Sequence, residues 1–460
     1  MEDGAPHRLT IPIIGGGWAG CAAALVLAEK GYGVALYEMA PTLGGRARRV
    51  VRDGLALDNG QHILLGAYVE ARRAIALVSE KADALQMIQQ PFAVAPFAPN
   101  QPGAFAFRAR RLPGPFSLLA GLLSAVGLSW HDRLAMLRWF AHLRSRAYRV
   151  DADVTAAEII ATAPLHAREQ LLNPLCVSAL NTPPKRASAQ IFANVLRVAF
   201  DTGGGASDML LPSTDLASLF PDGVARRLQA QHHAIHCRAE ATIIEASEGA
   251  IRLRINDASI QSSAAIVAVG PHQLARTFAP DVCADPSIAE ALDHVARLEW
   301  EPIVTVYLGY SSPIEIPRAL VQLDGAPGQW VFDRRDVLAR AKTGPPSSLR
   351  ALLAIVISAS GDHDALPNDA LTAAVVAQLE RLRPSMPPVV WSQVIAERRA
   401  TYSCTPAATR RPRAGRLARG IYLAGDYTDP EFPATLESAV RSGRVAAEAL
   451  HRDLSPIRAR

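Results

Sequence analysis

TIPIIGGGWAGCAAALVLAEKGYGVALYE, residues 10 to 38, runs from an apolar strand through three glycines into a small-residue helix, then into a second apolar strand closed by an acid. Gly15, Gly17 and Gly20 form GxGxxG directly after Ile11–Ile14. The first glycine permits the tight turn, the second lets backbone approach a pyrophosphate, and the third lets the helix pack closely on the strand. The helix opens at Trp18 and Ala19, whose turn aims free N–H groups and the positive dipole end at phosphates. Glu38 lies 18 residues beyond Gly20, where a carboxylate can accept from a ribose diol. The pattern predicts a bound dinucleotide, and the negative Glu38 favours FAD or NAD over NADP. Pro12 lacks an N–H and is expected to be the first residue of its strand.

The rest of the chain sets the context for that start. At 460 residues, with 49% apolar and 20% charged, it has length for two cores, because one core rarely grows beyond roughly 250–300 residues. The formal charge of +5 comes from scattered arginines without a long basic run, which argues against nucleic acid. The five cysteines at 21, 176, 237, 283 and 404 form no CxxC, so neither a disulfide framework nor a zinc site is expected. His232, His233 and His236 have no acid ligand placed beside them, and no metal is expected. The first ten residues lack a signal-peptide pattern, which points to the cytoplasm. FSLLAGLLSAVGLSW, 116–130, is shorter than the roughly 20 residues needed to cross a bilayer. It reads as a buried helix, or as one that touches lipid on the inner membrane face or lines an apolar tunnel.

Two further stretches bear on the nucleotide. In PTLGGRARRV, Gly44 and Gly45 allow a turn near it and Arg46 can bridge pyrophosphate oxygens; Arg48 and Arg49 read as a solvated face. In GIYLAGDYTDPEFPATLESAVRSGRV, 420–445, a short strand leads into Gly425 and Asp426, then a helix starts near Ala434 or Thr435. Thr435 and Leu436 would aim that helix's positive end at an anion, which in a flavoprotein is reduced flavin. Asp426 would hold the ribityl or pyrophosphate part. Residues 241–255 read as a hairpin turning at Ser247 to Gly249, and Thr155 with Glu158 as a capping box. Leu118–Trp139 and Leu171–Phe200 read as apolar helical segments.

Together GGGWAG with Glu38, LGGR, GDYTD and PATLESAVRSG resemble the FAD-dependent amine oxidases and the phytoene- or squalene-type desaturases. LDNGQHILLGAY at 57–68, NPLCVSALNTPPKRASAQIF, ASDMLLPSTDLASLFPD, EPIVTVYLGY, GQWVFDRR and ERRATYSCTP extend the match to hydroxysqualene dehydroxylases over most of the chain. The resemblance implies an α/β, two-lobed FAD-dependent oxidoreductase of glutathione-reductase-like Rossmann type with an inserted α+β substrate domain. Residues 1–85, 210–290 and 396–460 would bind FAD; 86–209 and 291–395 would bind substrate. It also implies noncovalent FAD, with the strand near Ala241 meeting adenine through its main chain and Gly60 beside the flavin. The implied reaction is reductive loss of the allylic hydroxyl of hydroxysqualene, a C30 isoprenoid, with electrons from an external donor such as NADPH or a reduced carrier. His62 would donate a proton, with Gln61 and Asn59 orienting the substrate oxygen or flavin and Asp58 holding the histidine or a backbone turn. Two alternatives stay open: a carotenoid-type desaturase, and a non-catalytic prenyl-binding escort of the same fold.

Overall fold

The computed structural model describes residues 8–79, 86–98, 104–151, 153–247, 249–340 and 348–455. A six-stranded sheet has the order Ala234–Cys237, Gly33–Glu38, Thr10–Ile14, Ala265–Val267, Ile421–Leu423, Gly415–Ala418. Only the last pairing is antiparallel. Alternation along these strands divides them between two layers, because successive side chains leave a sheet on opposite faces. Ile11, Ile13, Val34, Leu36, Ile266 and Tyr422 face helices Trp18–Glu29 and Leu436–Leu454. Ile14, Ala35, Tyr37, Ala265, Val267, Ile421 and Leu423 face a three-stranded antiparallel sheet, Ala241–Ser247, Ala250–Ile255 and Ala258–Ser262. Ser247 pairs with Ala250 where the hairpin was expected to turn.

Pro12 is the third residue of its strand and not the first. It pairs in register with Ala35 on one side, and the second neighbour joins only at Ile13. Its missing donor therefore falls before the doubly paired part of the strand.

A second sheet has five antiparallel strands in the order Leu320–Gln322, Trp330–Asp333, Ala351–Ser358, Trp300–Tyr310, Val389–Tyr402. One face, with Val306, Leu308, Val331, Leu353 and Ile355, is covered by helix Asn368–Leu382. The other carries Tyr307, Phe332, Ala354, Val356 and Ile395 and packs on Leu55, Leu57, Met209 and Leu211. Strand Val389–Tyr402 runs unbroken past position 396 and reaches the nucleotide end of the molecule.

A helical cap closes the space between the sheets. The segment 118–139 is broken: helix Phe116–Leu123 stops, and helix Trp130–Ser145 restarts behind a Ser129–Asp132 capping box. The segment 171–200 is broken too, because Asn181 takes φ +46 and ends helix Asn173–Leu180 before Ala189–Asp201 begins. Thr155 and Glu158 form the expected capping box. Among the described residues no helix is long and apolar enough to cross a membrane.

Candidate active site

The glycine turn is held by backbone contacts that leave no room for side chains. Gly15 has φ +105, and a Cβ there would stand 2.6 Å from the Ala268 carbonyl oxygen. A Cβ on Gly20 would stand 1.9 Å from the Gly15 carbonyl oxygen, so this glycine serves helix-on-strand packing. Gly17 differs: its nearest neighbour would be the Gly45 Cα at 3.9 Å, and the space beside it belongs to a groove. Gly44 N–H donates to the Gly16 carbonyl at 2.9 Å, which lays the LGGR turn alongside the first. Glu38 closes the turn by accepting from Gly16 N–H at 2.7 Å and Ala40 N–H at 2.8 Å.

The two chain ends meet here. A Cβ on Gly443 would lie 2.1 Å from the Ala19 carbonyl oxygen, so the terminal helix packs backbone to backbone on the first. Arg46 donates to Asp426 at 2.6 Å and to the Ala400 carbonyl at 2.9 Å. Thr435 caps the terminal helix, its Oγ1 accepting Ser438 N–H at 3.0 Å, and helical residues begin at Leu436.

One groove of about 400 Å³ is lined by Gly15, Gly17, Trp18, Ala19, Glu38, Gly44, Gly45, Arg46, Asn59, Gly60, His62, Gly425, Asp426, Thr435 and Leu436. Gly20 and Ala241 do not line it. Ala241 is buried in its strand, and the backbone beside Glu38 is that of Ala239, whose N–H donates to the Glu38 carbonyl at 2.9 Å. Arg49 is no solvated face: it pairs with Asp215 and Asp222, each at 2.8 Å.

Behind the groove lies a chamber of about 530 Å³, walled by apolar residues of the cap and the second sheet, among them Leu171, Leu175, Leu196, Phe200, Phe332 and Val356. Its charged groups are Glu70, Glu437 and Arg441. His62, Ile303, Thr401, Ala434, Thr435 and Leu436 border both cavities, which places the helix start and the histidine at the junction.

The DNGQH cluster divides in two. Asp58 turns away from the histidine: Oδ1 accepts Leu216 N–H at 2.8 Å and Oδ2 meets Arg334 at 3.1 Å. Burial raises its carboxyl to about 6, against the lowering effect of Arg334 and of the Leu216 N–H. Asn59 is buried and donates to the Arg46 carbonyl at 3.2 Å and to Glu397 at 2.7 Å. Gln61 borders the chamber and donates to the Tyr307 hydroxyl at 2.6 Å. His62 Nδ1 lies 3.0 Å from the Gly60 carbonyl, which can only accept, so Nδ1 carries a proton and the neutral ring's Nε2 is an acceptor. Burial lowers the His62 pKa, and nearby Arg46 lowers it further.

Sequence reading missed His272, Glu397, Tyr307 and Arg334. His272 and Glu397 line the groove, and Tyr307 and Arg334 hold the Asp58 turn. The Gly270–Pro271 turn leaves the carboxyl end of a parallel strand, where open α/β sheets bind ligands, and that signal could have found His272.

The flavin containing amine oxidoreductase model matches residues 18–451. The chain belongs to that family. This flavoprotein is 26% identical to a hydroxysqualene dehydroxylase from Rhodopseudomonas palustris, over 95% of this chain and 97% of the other. It is 23% identical to a 15-cis-phytoene desaturase from an Oncidium hybrid, over 98% of this chain and 79% of that one. Its fold matches a putrescine oxidase variant with TM-score 0.71 and 15% identity, covering 97% and 99% of the two chains. The flavoprotein is thus an FAD-dependent oxidoreductase, and its residues fit that cofactor. Gly17 leaves backbone open to the groove where a pyrophosphate could approach, Glu38 lines the same groove with a carboxylate that could accept from a ribose diol, and the Thr435–Leu436 helix start ends the groove at the chamber.

Proposed function

We propose that this flavoprotein removes the allylic hydroxyl of hydroxysqualene reductively, giving squalene. The observation that carries the reading is the junction at which the groove opens, past His62 and Leu436, into an apolar chamber. The likeness to the Rhodopseudomonas dehydroxylase supports the choice of substrate.

In this reaction the C–O bond breaks, a C–H bond forms in its place, and hydroxide takes a proton and leaves as water. FAD, when bound, would supply the hydride, with the two electrons coming from an external donor such as NADPH or a reduced carrier. The chain's own residues do the rest. The chamber walls exclude water and hold the hydrocarbon. Gln61, fixed by Tyr307, orients the substrate oxygen. His62 in its charged form donates from Nε2 to the departing hydroxide, and the burial that lowers its pKa makes it a stronger acid. Such assistance is worth roughly 10²–10⁴ in rate.

The test is anaerobic incubation of reduced, FAD-loaded protein with hydroxysqualene, followed by lipid analysis. Squalene is the expected product; its absence despite reduced flavin overturns the reading. The likeness to phytoene desaturase supports a second one, in which oxidised flavin removes hydrogen from a polyene. Consumption of phytoene by the oxidised protein, with no squalene formed by the reduced one, would select it.

A further inference from the structure

Among the described residues, six of the fifteen exposed large apolar side chains fall within residues 112–134: Leu112, Phe116, Leu123, Val126, Trp130 and Leu134. Val126 is 61% and Trp130 71% exposed. Their placement follows from the local fold. Helix Phe116–Leu123 packs on the protein through Ser117, Leu118, Gly121 and Leu122. Gly121 touches the Phe107 ring, where a Cβ would stand 2.8 Å away. Phe116 and Leu123, seven residues apart, share the opposite face. A surface helix of a soluble protein ordinarily turns polar residues outward; this one is apolar on both sides.

One arginine braces the exposed face. Arg133 donates to the carbonyls of Leu123, of Ala125 at 2.7 Å and of Leu128 at 3.2 Å, and lies 4.6 Å from the centre of the Trp130 ring. One side chain thus ties the end of the first helix to the start of the second and holds Val126 and Trp130 out. The charge within this part of the chain is mainly positive. Residues 104–149 contain eight arginines and a single acid, Asp132, which is engaged in the Ser129 capping box. Of these arginines, Arg111 and Arg144 pair with Asp208 and Asp201 from outside the segment. Arg108, Arg110 and Arg138 are exposed.

The patch also adjoins the chamber. Gly114 backs onto the end of helix Ala189–Asp201, where a Cβ would meet the Phe200 carbonyl oxygen at 2.6 Å. Phe200 and Val198 of that helix line the chamber.

We propose that residues 112–134 form a foot that seats the protein on an anionic lipid bilayer, at the end of the chamber formed by helix Ala189–Asp201. Leu112, Phe116, Leu123 and Val126 enter the acyl boundary, Trp130 lies at headgroup level, and the exposed Arg108, Arg110 and Arg138 meet lipid phosphates. The proposal does not rest on hydroxysqualene as substrate, since any membrane-dissolved hydrocarbon would gain the same access.

The experiment is flotation of the FAD-loaded full chain with vesicles of phosphatidylcholine alone and of phosphatidylcholine with phosphatidylglycerol. Binding is expected to the second kind and to weaken with salt. Changing Phe116, Val126 and Trp130 together to Ser should lower partitioning by at least about tenfold, with flavin absorbance and melting temperature unchanged. Brominated lipid should quench wild-type tryptophan fluorescence, and Trp130→Phe should remove most of that quenching. Equal partitioning of the triple variant, no binding to anionic vesicles, or quenching that survives Trp130→Phe overturns the proposal. So does a lipid-independent dimer that the triple variant dissolves, which would make the patch a contact between copies.

Discussion

The Arg334 guanidinium lies 3.1 Å from the Asp58 carboxylate, and both side chains are buried. Asp58 also receives Leu216 N–H, and its carbonyl accepts the Tyr307 hydroxyl at 2.9 Å. One aspartate thus ties the turn that carries Gln61 and His62 to the strand ends of the second sheet.

This pair makes a pH prediction. Burial places the Asp58 carboxyl at about 6, above its ordinary 3.8, so the native state holds that proton more tightly than the unfolded chain does. Its contribution to stability is full below about pH 4 and is lost as pH rises through about 6. Asp58→Asn keeps one acceptor oxygen, for Leu216 N–H, sets an amide N–H2 against Arg334, and carries no titrating proton, so it should flatten that dependence. Arg334→Met leaves a buried carboxylate unpaired and should cost roughly 3–5 kcal/mol near pH 8, and less near pH 5. Urea titrations at the two pH values read both effects.

Gly17 and Gly20 should fail in different ways. At Gly20 a methyl collides with the Gly15 carbonyl oxygen, so Gly20→Ala should lower the melting temperature whether or not FAD is added. At Gly17 the polypeptide leaves space, and φ is −71. Gly17→Ala should therefore fold like wild type and lose FAD affinity, at least about tenfold, by crowding the pyrophosphate. Equal FAD affinity of Gly17→Ala and wild type in a flavin titration would show that the groove is not occupied as described.

These contrasts explain what the sequence made legible. The glycine fingerprint, Glu38, the LGGR turn and the Thr435 cap are each spelled within a few residues, although Glu38 and Gly44 reach back to Gly16 and Gly15 packs on Ala268. Residues 10–38 thus carried the fold class almost alone. The partners of the DNGQH cluster are not local: Arg334 is 276 residues from Asp58, and Tyr307 is 246 from Gln61. Only the pairing of antiparallel strands brings them there, and no spacing in the chain announces it. The break at 124–129 was masked because apolar residues continue through it, although Ser129 and Asp132 spelled a helix start. Ala241 was carried over by resemblance, with no residue chemistry behind it.

Tyr307→Phe should separate orientation from binding. The hydroxyl accepts from Gln61 and from Asp58 N–H at 3.2 Å and donates to the Asp58 carbonyl, so its removal leaves two donors and an acceptor short of partners. The loss should cost about 1–3 kcal/mol of stability and free Gln61 to rotate. Because Tyr307 does not line the FAD groove, the flavin spectrum and FAD affinity should not change. Turnover should fall about tenfold, a loss of roughly 1.4 kcal/mol in transition-state stabilisation. A variant with full turnover would show that Gln61 needs no such anchor.

His62 yields the sharpest kinetic prediction. Its Nδ1–H is committed to the Gly60 carbonyl, so only the charged ring can donate from Nε2. Burial lowers its pKa from 6.5, and the charged form therefore declines as pH rises through a value below that figure. Turnover with reduced flavin should follow the same decline, highest on the acid side and falling toward neutrality. The stability contribution has the opposite sign: a lowered histidine pKa favours the fold above about 6.5 and is lost as pH falls, so rate and stability must be measured separately. His62→Gln keeps a polar side chain at the junction and cannot deliver the proton. It should reduce turnover by roughly 10²–10⁴, abolish the acid-side rise and leave flavin reduction by dithionite unchanged. A variant that retained the wild-type pH profile would assign the proton to another group, and Glu437 and Tyr68, which also line the chamber, would be the next to test.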